Sequence, residues 1–82
     1  MIKESVYLEL IRRIESAEVR YGAFVSTHEA LGVALEEWNE LQEAVWANGM
    51  DQIRDEALDL AAVCLRLADQ IGNAQLRGRS MK

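Results

Sequence analysis

Proline is absent from the 82 residues of this chain, and cysteine and histidine occur once each, as Cys64 and His28. The absence of proline and the scattered placement of the five glycines argue against disorder and low complexity. A lone cysteine cannot close a disulfide within the chain, so no covalent link compensates for a core this small. Association with another copy is the usual remedy, and we expect a homo-oligomer.

Long apolar runs are also missing. The first residues, "MIKESVYLELIRR", carry charges at positions 3, 4, 9, 12 and 13. These charges interrupt the continuous apolar segment that a signal peptide or a membrane span requires. The sequence therefore predicts a cytoplasmic protein with no membrane partner.

Basic residues are scarce over most of the chain. Residues 22 to 76 contain Arg54 and Arg66 against ten acids, which are Glu29, Glu36, Glu37, Glu40, Glu43, Asp51, Asp55, Glu56, Asp59 and Asp69. A surface this acidic repels nucleic acid, and we expect no direct binding to it. We assign residues 1–76 to one domain and residues 77–82, with Arg77, Arg79 and Lys82, to a basic tail.

Apolar periodicity predicts the first two of three helices. Residues 3 to 20 repeat apolar side chains every three or four positions, which predicts an amphipathic helix. Ser26 and Glu29 have the spacing of a capping box, in which each side chain bonds the other residue's backbone N–H. Helix two should begin there and end at Asn48 and Gly49. Its predicted buried stripe is Leu31, Ala34, Leu35, Trp38, Leu41 and Val45.

The third helix is apolar on more than one side. Asp51 is the predicted N-cap, and the helix should run from about residue 52 to 71. Its apolar positions are Ile53, Ala57, Leu58, Leu60, Val63, Cys64, Leu65, Leu67 and Ile71. A helix this apolar must be covered from two directions, and we expect one cover to come from another subunit. The predicted fold is all-α, with helices two and three antiparallel and a helical bundle completed by homo-oligomerisation.

Two pairs of acids can share a cation. Glu37 and Glu40 lie one turn apart on helix two, and Glu56 and Asp59 repeat that spacing on helix three. If the helices are antiparallel, four carboxylates converge beside the buried stripe, where an acid needs a partner. Neither pair has a Glu-x-x-His partner, so magnesium or manganese is favoured over iron or zinc. The alternative is that these spacings belong to ordinary solvated helix faces.

The same residues resemble a known superfamily. "E37-W-N-E40-L-Q-E43-A", followed by "E56-A-L-D59-L", resembles the E-x-x-E…E-x-x-D signature of the MazG-like all-α nucleoside triphosphate pyrophosphohydrolases. The run "YGAFVSTHEALGVALEEWNEL" is similar to the small MazG-like proteins of phages and other mobile elements. The resemblance implies an oligomeric bundle that hydrolyses a nucleoside triphosphate to monophosphate and pyrophosphate. It also implies Mg²⁺ ligands at Glu37, Glu40, Glu56 and Asp59.

Other residues are candidates for catalysis and for substrate binding. Glu36 and Glu40 are the candidate catalytic bases. The candidate substrate-binding residues are Trp46, which can stack on a base, Arg54 and His28. Val63 stands where some relatives have a nucleotide-binding tyrosine, and the tail offers only Arg77, Arg79 and Lys82 for phosphate contacts. The alternative is therefore a catalytically degenerate MazG-like oligomer that binds metal, nucleotide or another protein.

Four other side chains complete the predictions. Trp38 and Cys64 lie on predicted apolar stripes and are expected in the core. Tyr21 and Phe24 precede helix two and are further stacking candidates.

Overall fold

A computed structural model describes residues 1–71 of the chain, and these form three α-helices. Helix α1 spans Glu4–Tyr21, α2 spans Thr27–Trp46 and α3 spans Met50–Gln70. The predicted all-helical class is confirmed for the described residues, and the helix bounds differ from the predicted ones by at most three residues. The predicted basic tail, residues 77–82, lies outside the described residues.

Helix α3 lies between the other two helices. The N–H of Phe24, just before α2, donates to Oε1 of Gln70 at the end of α3, at 2.9 Å. Helices α2 and α3 are therefore antiparallel, as predicted. Arg13 of α1 reaches Asp59, and Glu18 reaches Arg66 further along, so α1 runs in the same direction as α3. Among the described helices, α1 and α2 each pack on α3 and not on each other.

The start of α2 follows the predicted cap with one change. Ser26 Oγ accepts a hydrogen bond from the N–H of Glu29 at 3.0 Å. Oε1 of Glu29, however, accepts from the N–H of Val25 at 2.8 Å and not from Ser26. The carboxylate thus satisfies a donor one residue earlier than a capping box would, and the loop is still fixed to the helix start.

The turn between α2 and α3 corrects the prediction for Asp51. Asn48 adopts the left-handed conformation, with φ of 60°, and reverses the chain. Helix α3 then begins at Met50, with Gly49 as its N-cap and no side-chain cap. The carbonyl of Gly49 accepts from the N–H of Ile53 at 2.8 Å, so helical bonding has started before an Asp51 cap could act. Asp51 contributes instead as an acid in the first turn, where the helix dipole favours negative charge.

The buried face of α2 is rotated away from the predicted stripe. Positions that are buried or half-buried along α2 are Thr27, Ala30, Val33, Ala34, Glu37, Leu41 and Ala44. Leu31, Leu35, Trp38 and Val45, which we call the outer stripe, are 47 to 57% exposed. The prediction that Trp38 lies in the core is wrong for this chain by itself. Small alanines facing α3 let the two helices approach closely, which larger side chains would prevent.

Two covers of α3 come from the same chain. The core cluster joins Phe24, Ala30 and Val63, with Val33, Ala34 and Leu67 packed against it. Helices α1 and α2 cover α3 on two sides, while Leu65 of α3 stays 48% exposed. The prediction of a buried Cys64 is wrong, because this residue is exposed. No helix among residues 1–71 is long and apolar enough to cross a membrane.

Candidate metal centre

Carboxylates from α2 and α3 converge at the middle of their interface. One oxygen each from Glu37, Glu56 and Asp59 lies within 4.8 Å of the others, and all three residues are half-buried. Glu40 is more exposed, but its carboxylate is close enough to those of Glu37 and Glu56 to influence both. The antiparallel packing thus brings together the two acid pairs that are far apart in the sequence.

Two oxygens in this cluster have no polar partner. Oε1 of Glu37 and Oε1 of Glu56 are buried and accept no hydrogen bond within the described part of the chain. A buried carboxylate oxygen without a donor is costly, because it has lost water and gained nothing in return. A proton or a cation would remove this cost. The donor set consists of oxygen alone, which fits a hard divalent cation such as Mg²⁺ or Mn²⁺.

The acids are held in an environment that opposes their ionisation. Burial is the largest cause that raises the pKa of Glu37 from an ordinary 4.5 to about 7, and the charge of Glu40 is the next. Burial also raises the pKa of Glu56, again followed by the charge of Glu40. A bound dication would lower the pKa of Glu37 and of Glu56, because it favours the charged form of every carboxylate around it.

Arg13 of α1 is the residue that the sequence analysis missed. Its Nη1 donates to Oδ1 of Asp59 at 2.8 Å and to the carbonyl of Asp55 at 3.0 Å. Its Nη2 donates to Oδ1 of Asp55 at 2.9 Å, and its Nε donates to Glu9 at 3.1 Å. Arg13 lies outside the acidic segment 22–76, and the packing of α1 brings it to Asp55 and Asp59 from more than 40 positions away.

Asp59 consequently faces two kinds of partner. One of its oxygens accepts from Arg13, while the residue also belongs to the group of acids that can share a cation. Glu37 and Glu56 have no such base, so their negative charge is the least compensated in the cluster. The arrangement can bind one dication through the two glutamates with Asp59 completing the set, and a Mg²⁺ ion in such a site keeps several water ligands.

A groove opens beside this cluster, between α1 and α2 and above α3. Its volume is about 730 Å³, within the range of small-molecule sites. Glu36, Glu37 and Asp59 line it on the acidic side. Of the two candidate bases, Glu36 faces this groove, whereas Glu40 is placed beside Glu37 and Glu56 and does not line it.

The three predicted substrate-binding residues lie elsewhere. Trp46 is 86% exposed and borders a shallow depression with Asn39, Gln42, Glu43 and Ala47. His28 and Arg54 are exposed, and neither lines the groove. The structure therefore brings three of the four predicted metal ligands into one group, with Glu40 outside it, and does not bring the predicted substrate contacts to them.

Phe24 and Arg66 have a structural role in the same groove. Phe24 is 5% exposed, and the Arg66 guanidinium lies 4.3 Å from the centre of its ring. Arg66 donates to Glu18 at 2.7 Å and to the carbonyl of Gly22 at 2.7 Å. These contacts tie the end of α1 to α3, so Phe24 belongs to the core, while Tyr21 is exposed at the groove edge.

Comparison with known proteins adds no relative to this geometry. The chain matches no protein-family model, no curated protein and no solved structure. The resemblance to MazG-like proteins thus depends on the motif residues themselves.

Proposed function

We propose that this chain is a MazG-like, Mg²⁺-dependent nucleoside triphosphate pyrophosphohydrolase that converts a nucleoside triphosphate to its monophosphate and pyrophosphate. The observation that supports it best is the pair of buried, unpartnered oxygens on Glu37 and Glu56, next to Asp59. A protein that buried these acids for stability alone would have supplied them with partners, as it does for the buried side chains of Arg66 and Gln70. Acids left without donors are typical of a site that is completed by a ligand.

The reaction requires a nucleophile, a base and a way to offset negative charge. A water oxygen attacks the α-phosphorus, a new P–O bond forms, and the bond to the bridging oxygen of the departing pyrophosphate breaks. The water proton passes to a carboxylate, and Glu36 and Glu40 are the candidates for this role. Bound Mg²⁺ would lower the pKa of the water and stabilise the developing charge on the phosphates. Glu37, Glu40, Glu56 and Asp59 are the residues that would hold it.

A screen of substrates tests this function. Canonical and modified ribo- and deoxyribonucleoside triphosphates are incubated singly with the protein and Mg²⁺, and pyrophosphate and orthophosphate are measured separately. We expect pyrophosphate and monophosphate in equal amounts. Water enriched in heavy oxygen should label the monophosphate, because attack occurs at the α-phosphorus. Release of orthophosphate alone, or no release from any nucleotide while Mg²⁺ binds, would contradict the proposal.

The outer stripe of α2 supports the proposal that the working form is a homo-oligomer, a dimer or a tetramer. Leu31, Leu35, Trp38 and Val45 recur at helical spacing on one side of α2, and the described helices leave each of them about half-exposed. A small soluble domain rarely leaves such a surface uncovered. Sedimentation of the wild type should give at least twice the monomer mass. Replacing Leu35 and Trp38 with glutamate should give monomers, whereas Val19→Glu, at an isolated exposed position of α1, should not.

One observation favours a second candidate, a catalytically degenerate MazG-like module that binds metal, nucleotide or protein. Asp59 already has a cationic partner in Arg13, so part of the cluster is neutralised without any ligand. In that case Mg²⁺ should bind and raise the melting temperature, but no nucleotide in the screen should release pyrophosphate. The two candidates therefore differ in turnover and agree in metal binding.

A further inference from the structure

One face of α1 forms the basic side of the groove. Arg13, Ser16, Ala17 and Arg20 recur at the spacing of a single helix face, and all four line the groove together with Arg12. The two positions in the middle of this face carry small side chains. Arginines thus stand at both ends of this face, with Ser16 and Ala17 between them.

These arginines differ in how many of their guanidinium donors already have an acceptor in the protein. Arg13 is fully engaged by Asp55, Asp59 and Glu9. The Arg12 side chain is 72% exposed and has only a 3.5 Å ion pair with Glu9, which water and salt weaken.

Arg20 has even fewer polar contacts. It has no ion pair within residues 1–71, and its guanidinium lies 5.8 Å from the centre of the exposed Tyr21 ring. Arg12 and Arg20 therefore keep most of their donors for a ligand, whereas Arg13 does not.

The opposite side of the groove determines what kind of ligand fits. There Glu36, Glu37 and Asp59 face the groove. A dication held by the cluster would place positive charge on that side as well. A ligand between a dication and two available arginines must be an anion with several charged groups. Arg12 and Arg20 are eight residues, or about 12 Å, apart along α1, which favours an extended ligand over a single phosphate ion.

Building on the proposed function, we propose that Arg12 and Arg20 of α1 bind the phosphate chain of a nucleoside triphosphate along the groove. Guanidinium groups suit this role because each offers several donors in one plane to phosphate oxygens. Tyr21 lies beside Arg20 at the groove edge, where its exposed ring can meet the base. Phosphate recognition is thereby assigned to the N-terminal helix rather than to Arg54.

Binding measurements test this assignment without turnover. Titration calorimetry with Mg²⁺ present uses inorganic tripolyphosphate and, singly, the α,β-imido analogues of the common nucleoside triphosphates, in which the bond to be cleaved is replaced. We expect Arg12→Gln with Arg20→Gln to raise the Kd for tripolyphosphate and for the best analogue at least about tenfold. The Kd for Mg²⁺ alone should stay unchanged. Both side chains are exposed, so each single variant should fold as the wild type does.

Arg54→Gln is the control for each single variant, because it also removes one arginine charge, at an exposed position outside the groove. Equal weakening by Arg54→Gln would overturn the assignment, as would unchanged binding by the double variant. Failure of wild type to bind tripolyphosphate and every analogue would also overturn it. If arginine-dependent binding is observed but no nucleotide releases pyrophosphate, the phosphate assignment stands and the proposed hydrolysis fails.

Discussion

The two faces of α3 use acidic residues in opposite ways. Toward α1, acids and bases are paired: Arg66 binds Glu18 at 2.7 Å, and Arg13 binds Asp55 and Asp59 at 2.9 and 2.8 Å. Toward α2, Glu37 and Glu56 meet without a base, and a buried oxygen of each lacks a partner. Helix α3 thus has a paired face toward α1, where Asp55, Asp59 and Arg66 have partners of opposite charge. It has an unpaired face toward α2, where Glu37 and Glu56 meet.

This difference separates structural acids from functional ones better than acid content does. A buried polar group that serves the fold is hydrogen-bonded, because an unmade bond in the interior costs free energy. Acids that remain unpaired in the interior therefore need either a proton or a cation to offset this cost. The α1 side is expected to control stability, and the α2 side is expected to control metal binding and activity.

The largest effect should come from removing a ligand on the unpaired face. Glu56→Gln keeps the size of the side chain but removes the charge, and we expect hydrolysis to fall by more than about 100-fold, since even residues that only support a metal ligand cost 10- to 100-fold. Pyrophosphate release under saturating nucleotide measures this. Glu43→Gln is the control, because Glu43 is exposed and outside the cluster despite its E-x-x-E spacing with Glu40. Equal losses in both variants would argue against the site.

Breaking a contact on the paired face should lower the free energy of unfolding. Arg66→Met keeps much of the apolar contact with Phe24 but removes the bonds to Glu18 and Gly22. We expect a loss of about 2 kcal/mol in the free energy of unfolding, because Glu18 is partly exposed and water replaces some of what it loses. Urea unfolding of the metal-free protein measures it. Arg54→Met, at an exposed position, should stay within about 0.5 kcal/mol of wild type.

The unpaired face should also make stability depend on pH. The pKa of Glu37 is about 7 in the folded protein, against an ordinary 4.5, so the folded state holds a proton that the unfolded state releases. The contribution of Glu37 to the stability of the metal-free protein should therefore be greatest below about pH 4.5. This contribution should fall as the pH rises to about 7. The loss should be on the order of 1 to 2 kcal/mol after allowance for partial exposure.

Melting curves from pH 4.5 to 8 measure this loss. Glu37→Gln should flatten the profile, because glutamine has no charge to bury, and saturating Mg²⁺ should flatten it in wild type. A wild-type profile that rises with pH over this interval would contradict the assignment of Glu37 to the unpaired face.

The smallest effect should come from Arg13, which contacts an acid of the cluster from the paired side. Arg13→Gln should cost roughly 0.5 to 1 kcal/mol of stability, because these ion pairs are partly exposed. It should also tighten Mg²⁺ binding a few-fold, since Asp59 no longer shares its charge with an arginine. Calorimetry of Mg²⁺ binding measures the second effect. Arg12→Gln, which removes the same charge without touching Asp59, should leave Mg²⁺ affinity as it is.

Sequence reasoning found the helices and the acids for physical reasons that are local. Apolar spacing, the Ser26 cap and the reversal at Asn48 act within a few residues, and each is readable along the chain. The grouping of three acids, Glu37, Glu56 and Asp59, followed from their spacing on two helices that a short turn joins. These predictions needed no knowledge of how far each helix rotates.

The rotation of each helix about its own axis decided which side chains are buried, and the sequence did not reveal that rotation. The predicted stripe on α2 was chosen for its large apolar residues, but α3 packs against the alanines and Glu37 beside them, which leaves Trp38 half-exposed. Cys64 was misplaced in the same way on α3. Close helix packing favours small residues at the contact, and that preference competes with burial of the largest ones.

The sequence by itself determined three helices, an acidic surface and two acid pairs able to face each other, because these properties depend on spacing and composition. Only the tertiary structure decided which acids are paired. Arg13 reaches Asp55 and Asp59 because α1 packs on α3 across more than 40 residues of chain, and no local pattern encodes that contact. The same packing leaves Glu37 and Glu56 without a base, and it makes the α1 arginines one side of the groove next to them.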